Sequence, residues 1–346
     1  MNRRQIIVSS FVLGIAVLLM GCSGGLKTPT LAFGKPLPDK YNSPDGMTLG
    51  KDNCIYLSMN NVNDFTHPAK VLCITEDDQL EEIVQLPAHP ETGVASPLGL
   101  VFASDGNLYV SDNQSFASEK PGLSRIIKVT MNNGKATGCK VVALGFNMAN
   151  GITTKGDRIY IAETNLNAGK PHKSGVYSFT LAELNSESPI VVKGLGDSHL
   201  ITSFVTKNED HPVGANGVAF NSKGELFVCN FGDAQVLKFI VDDNAKVQSQ
   251  EIFAQGGGMM SVDGMQIDKE DNLWIADFLG NAVVKISPTG EVMIVSKNGQ
   301  TDGANGELDA PSECIRRGDR VYVSNIDLTY GDNKADKVHT MSLIEL

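Results

Sequence analysis

Asp45, Asn150, Asn216 and Asp263 each stand immediately before a glycine that opens an apolar strand, and all four carry oxygen at the side-chain tip. Two further copies of the same phrase place Leu98 and Ser312 at this position. Two carboxylates and two amides brought to one point would repel or stay unsatisfied unless a cation sat between them. Hard oxygen donors with no cysteine or histidine suit Ca²⁺ better than Zn²⁺ or copper. Four protein ligands also leave positions for water and a substrate oxygen, the arrangement of an ion that takes part in catalysis. Taken singly, each residue has another explanation, because Asp and Asn before Gly commonly bond their own backbone in turns.

What must position these residues is a sixfold repeat. The copies are PDGMTLGKDNCIYLS from Pro44, PLGLVFASDGNLYVS from Pro97, ANGITTKGDRIYIA from Ala149, ANGVAFNSKGELFVC from Ala215, VDGMQIDKEDNLWIA from Val262 and PSECIRRGDRVYVS from Pro311. They start 47 to 66 residues apart, the length of a four-stranded blade with its loops. Triplets such as Leu108-Tyr109-Val110 and Leu273-Trp274-Ile275 suit strands buried on both faces. The turns at Gly106, Gly156, Gly224 and Gly318 supply the backbone that tight hairpins require. These features predict an all-β fold, a six-bladed β-propeller over residues 42–346. The last copy is short of one outer strand, which a segment near Thr28–Phe33 is expected to add, closing the ring. In such a ring the residues before the glycines surround one mouth of the channel. The ends of the second strands, Asn60, Asp112, Glu163, Asn230, Asp277 and Asn325, are expected to form a second oxygen-bearing tier around the same opening.

Residues 1–21 read as a lipoprotein signal peptide, with Arg3 and Arg4 ahead of an apolar run from Ile6 to Met20. Leu19-Met20-Gly21-Cys22 is similar to a bacterial lipobox, making Cys22 the expected lipidation site and residues 22–41 a tether plus closing strand. The expected location is a membrane-anchored lipoprotein on the periplasmic or cell-surface side. Ser23, rather than Asp, after the cysteine points to the outer membrane in a Gram-negative host. Losing residues 1–21 removes two arginines and no acid, taking the formal charge from −11 to −13. That acidic balance argues against nucleic acid as a partner. The five cysteines after Cys22 lack CxxC spacing; they read as small buried apolar groups, with one disulfide between Cys54 and Cys73 as the alternative.

Polar loops at 112–124, 164–174 and 194–213 are expected to shape a rim. His211, in the last of them, lies on the expected metal face; it reads as a surface loop residue or a general acid or base. The segment DGANGELD, 302–309, has a calcium-like composition without EF-hand spacing and reads as an acidic loop entering the sixth blade.

The repeats, above all VDGMQIDKEDNLWIADFLGNAVVKISPTGEV from Val262, resemble the SMP-30/gluconolactonase family and its six-bladed relatives, the paraoxonases and diisopropylfluorophosphatase. The resemblance implies a catalytic Ca²⁺ held by Asp45, Asn150, Asn216 and Asp263, with Asp263 as the catalytic residue. It implies hydrolysis of a small-molecule lactone, ester or phosphoester. Asp45 replaces the family's usual Glu. Sugar-lactonase members carry Arg and Asn where this chain has Ser96-Pro97-Leu98-Gly99, so a less hydroxylated substrate is expected. Leu98, His211 and Ser312 are the substrate-pocket candidates. The rival reading is a non-catalytic periplasmic binding or scaffold propeller of the NHL type, because fold does not fix function.

Overall fold

A computed structural model describes residues 25–346, Ala168 excepted. The expected signal segment, residues 1–21, and the expected lipidation site Cys22 lie outside the described residues.

Six antiparallel sheets follow one another along the chain, each a meander of four strands running outward from a central channel. Their innermost strands are Pro44–Leu49, Pro97–Phe102, Ala149–Lys155, Ala215–Phe220, Met265–Ile267 and Pro311–Arg317. The second blade gains a fifth strand, Ile190–Val191, which joins Lys135–Phe146 in parallel. In the sixth blade the outer strand is supplied by the N-terminal side of the chain: Thr30 pairs with Leu343 and Leu31 with Ser342. The expected ring closure is therefore present, through a shorter strand than the sequence pattern suggested.

The repeat glycines are explained by how closely the inner strands approach. A Cβ on Gly46 would stand 2.5 Å from the Leu98 carbonyl oxygen, on Gly99 2.8 Å from that of Asn150, on Gly217 2.7 Å from that of Asp263, and on Gly264 2.5 Å from that of Ser312. Each glycine thus backs onto the equivalent floor residue of the next blade, and a side chain there would force the ring apart. The aromatics of the second strands pack between blades. Tyr56 meets Phe102 edge-on at 4.8 Å and Tyr160 meets Phe220 likewise. Their polar tips are satisfied by acids of their own hairpins, as in Tyr56–Asp52 at 2.9 Å, Tyr109–Asp105 at 3.0 Å and Trp274–Asp268 at 2.8 Å. Trp274 is therefore core, as its place in the repeat implied.

All five described cysteines are free thiols. Cys54 and Cys73 carry no covalent link to one another, and burial is the main cause that raises both above the ordinary thiol range.

Candidate functional site

One cavity of about 260 Å³ sits at the channel mouth, and its floor contains Asp45, Leu98, Asn150, Asn216, Asp263 and Ser312. All six positions before the repeat glycine are brought together, because rotational repetition puts equivalent residues of the inner strands on one circle. The four oxygen-bearing candidates and the pocket candidates Leu98 and Ser312 therefore share one site. No lysine, arginine or histidine lines it among the described residues.

The electrostatics of this floor are unbalanced. Burial pushes the Asp45 carboxyl up to about 7, against a hydrogen bond with Ser312 that pulls the other way. Asp263 is driven well above the carboxylate range by burial first, then by Asp45 and Glu313, with an opposing hydrogen bond from Asn216. Glu313 is raised by burial and by Asp45. This third carboxylate occupies the place that glycine holds in the other five repeats, and its Oε1 is buried with no hydrogen-bond partner. Its departure from the repeat was visible in the sequence, but the burial of its carboxylate against Gly264 was not. Asn150 donates its amide nitrogen to Thr164 at 3.2 Å, leaving its oxygen unengaged by that bond.

The lining carboxylates Asp45 and Asp263 and the amides Asn150 and Asn216 form an oxygen-bearing donor set, with the buried acid Glu313 adding to its surplus negative charge. That set fits a hard divalent cation such as Ca²⁺.

The second tier behaves differently from the expectation. Asp112 accepts from Ser96 N at 2.6 Å and pairs with the buried Arg125 at 2.6 Å. Glu163 accepts from Asn147 N and Met148 N at 2.9 and 2.8 Å. Asp277 accepts from Met260 N, Ser261 N and Gly280 N at 2.8, 2.7 and 3.0 Å. Asn325 accepts from Asp309 N at 3.2 Å, and Asn60 ties Ser96 and Pro97 of the next blade. None of these side chains lines the cavity. They fasten the loops that deliver the first tier, and their oxygens are engaged by backbone N–H groups and by the side chains of Arg125 and Ser96.

The walls are apolar. Phe116 and Val213 come from two of the expected rim loops, and Phe231 and Phe278 directly follow the second strands of blades four and five. Ile326, Leu328, Thr329 and Tyr330 come from a sixth-blade loop that the repeat pattern passed over. Tyr330 packs at 6.1 Å from both Phe231 and Phe278. Among the described residues the 164–174 loop contributes none to the lining. His211 is also absent from the lining; its ring packs against Tyr330 at 5.5 Å, behind the wall. It is therefore placed to support Tyr330 rather than to contact a molecule in the cavity.

Residues 160–299 match the family model described as the SMP-30/Gluconolactonase/LRE-like region. No curated protein sequence matches the chain. Among solved structures, the chain is similar to a luciferin-regenerating enzyme (14% identity, TM-score 0.57, covering 92% of this chain and 95% of that one). It is similar to a gluconolactonase from Xanthomonas campestris (15%, 0.56, 92% and 94%). It also resembles the PQQ-bound aldose sugar dehydrogenase of Streptomyces coelicolor (14%, 0.57, 92% and 97%). Neighbours of such different activities share the architecture and not a reaction. The chain is a six-bladed β-propeller carrying an SMP-30/gluconolactonase/LRE-like region.

Proposed function

We propose that this protein is a Ca²⁺-dependent hydrolase that opens an apolar lactone or ester, or a phosphoester of similar character, at the channel floor. The observation that carries this reading is the contrast between an acidic oxygen floor and aromatic walls in one cavity. A polyhydroxylated sugar lactone would leave its hydroxyls without partners against Phe116, Phe231 and Phe278, whereas an acyl chain or aryl group would gain by burial. A bound Ca²⁺ would act as a Lewis acid toward a carbonyl or phosphoryl oxygen.

The chain's own residues supply the rest. Asp45, Asn150, Asn216 and Asp263 would hold the ion. Asp263, buried and raised by two other acids, would gain from a nearby cation the charged form needed for a nucleophile or base. Leu98 and the aromatic wall exclude bulk water and fix the leaving group. Hydrolysis adds one water across the acyl–oxygen bond, giving an acid and an alcohol, joined in one molecule when the substrate is a lactone.

The test is a panel of aliphatic lactones, sugar lactones, aryl esters and aryl phosphoesters, with Ca²⁺ and with EGTA. Turnover of apolar substrates that EGTA abolishes and Ca²⁺ restores is expected. A panel with no turnover at all sinks the reading and leaves a ligand-binding propeller. Sugar lactones as the best substrates would overturn the apolar specificity.

We also infer that acylation at Cys22 holds the protein at a membrane; Cys22→Ser should then leave the membrane fraction, and equal partitioning of variant and wild type refutes it. Among the described residues no helix is long and apolar enough to cross a membrane.

A further inference from the structure

We propose that Asp309, Asp327 and Asp336 form a second divalent-cation site, suited to Ca²⁺, that pins the sixth-blade loop walling the central cavity. One carboxylate oxygen from each of the three lies within 4.8 Å of the others. An acidic cluster alone would mean little, but Asp309 adds an independent observation. Its side chain is 1% exposed, and neither carboxylate oxygen has a hydrogen-bond partner. Only its backbone N–H is engaged, by Asn325. A carboxylate buried without donors is among the costliest groups a fold can hold, and the cost falls away when a cation joins it.

The surroundings favour a cation. After burial itself, the strongest charges acting on Asp309 are all acidic: Asp327, Asp336, Asp302 and Glu307. Together they hold its carboxyl at about 8. Asp327 is raised to about 6, mainly by burial, although it accepts from Asn333 at 3.1 Å and from Asp336 N at 2.9 Å. Asp336 accepts from Val338 N at 2.6 Å. A carboxylate has about four lone-pair sites, so both retain capacity for an ion.

Two loops converge here. One is the DGANGELD segment, whose Gly303 approaches so closely that a Cβ would lie 3.2 Å from Asp309 Cβ. The other runs from Asp327, at a φ of 52°, to Asp336. Between those two acids stand Leu328, Thr329 and Tyr330, which line the central cavity. An ion bridging 309, 327 and 336 would therefore fasten both ends of that wall segment to the start of the sixth blade. Oxygen-only ligands on irregular loops suit Ca²⁺, which accepts irregular geometry, better than Mg²⁺.

The proposal stands whether or not the channel floor holds an ion, and the test keeps the two apart. Ca²⁺ bound per chain would be measured by equilibrium dialysis on the wild type, Asp309→Asn, Asp336→Asn, and the double variant Asp45→Asn/Asp263→Asn. Each triad variant should bind one ion fewer than the wild type, and the double variant should keep the triad's ion. In EDTA, Asp309→Asn should melt no lower than the wild type, since it removes a buried charge, while losing part of the Ca²⁺-induced rise in Tm. An unchanged ion count in both triad variants, or no Ca²⁺ bound by the wild type, overturns the proposal. A wild type binding one ion that the triad variants lose would support this site and count against the channel-floor ion.

Discussion

Two rings of Asp, Asn and Glu lie one strand apart in this propeller, and they have opposite fates. The ring at the second-strand ends is saturated by the molecule itself: Asp277 alone accepts three backbone N–H groups, and Asp112 holds a buried arginine. The ring at the channel floor is left in deficit, with Asp45, Asp263 and Glu313 buried near one another and, among the described residues, no basic side chain lining the cavity. The same residue types, repeated with the same period, thus become fasteners in one ring and a candidate binding site in the other. What separates them is access to backbone donors. Loops fold back over the second-strand ends and present their N–H groups. At the channel the inner strands spend theirs on neighbouring strands, as in Gly217 N to Asp263 O and Gly264 N to Ser312 O.

The comparison can be broken most directly by removing a fastener. Asp277→Ala strands several buried donors, so unfolding free energy should drop by about 4 kcal/mol in urea titrations. A loss under about 1 kcal/mol would mean that water replaces the carboxylate and that the ring is not structural.

The floor should respond in the opposite sense. Asp263→Asn should remain folded and still bind Ca²⁺ at high concentration. Its hydrolysis should nevertheless slow by at least ~100-fold, because an amide lacks both the charge and the basicity of a carboxylate. Recovery of the rate at saturating Ca²⁺ would reduce Asp263 to a ligand.

A smaller effect sharpens the electrostatic half of the contrast. Asp45 has a folded value of about 7 against 3.8 for the free side chain, so between these values the native state binds more protons than the unfolded one. Stability contributed by this group is therefore complete at low pH and falls as pH rises through that window. In EDTA, raising pH from 5 to 6.5 should cost the wild type about 2 kcal/mol more than Asp45→Asn. Parallel pH profiles for the two proteins would show that the floor tolerates its charge without a cation.

Much of this was legible in the chain. A propeller blade is a local meander, so its glycines, hairpin turns and buried triplets recur in the sequence, and six copies fix both the architecture and the ring before the glycines. Closure by the N-terminal segment followed from a last copy one strand short. Asp45, Leu98, Asn150, Asn216, Asp263 and Ser312 then had to meet, because symmetry allows them no other arrangement.

Other features depended on contacts that no local pattern encodes. Whether Asp112, Glu163 and Asp277 face a ligand or a loop is decided by where neighbouring loops put their N–H groups. Glu313 shows in sequence only as a missing glycine, and becomes a buried, partly unpartnered acid because its carboxylate packs against Gly264 of the neighbouring blade. His211, near the site in sequence, ends up behind Tyr330 because a wall loop passes in front of it. Asp309, Asp327 and Asp336 are brought together by the same loop, across two strands of the sixth blade. The sequence by itself determined the repeated unit, since blade formation is settled within about 50 residues. Only the tertiary structure decided which oxygens would be left without partners, since that depends on segments far apart in the chain arriving, or failing to arrive, with a donor.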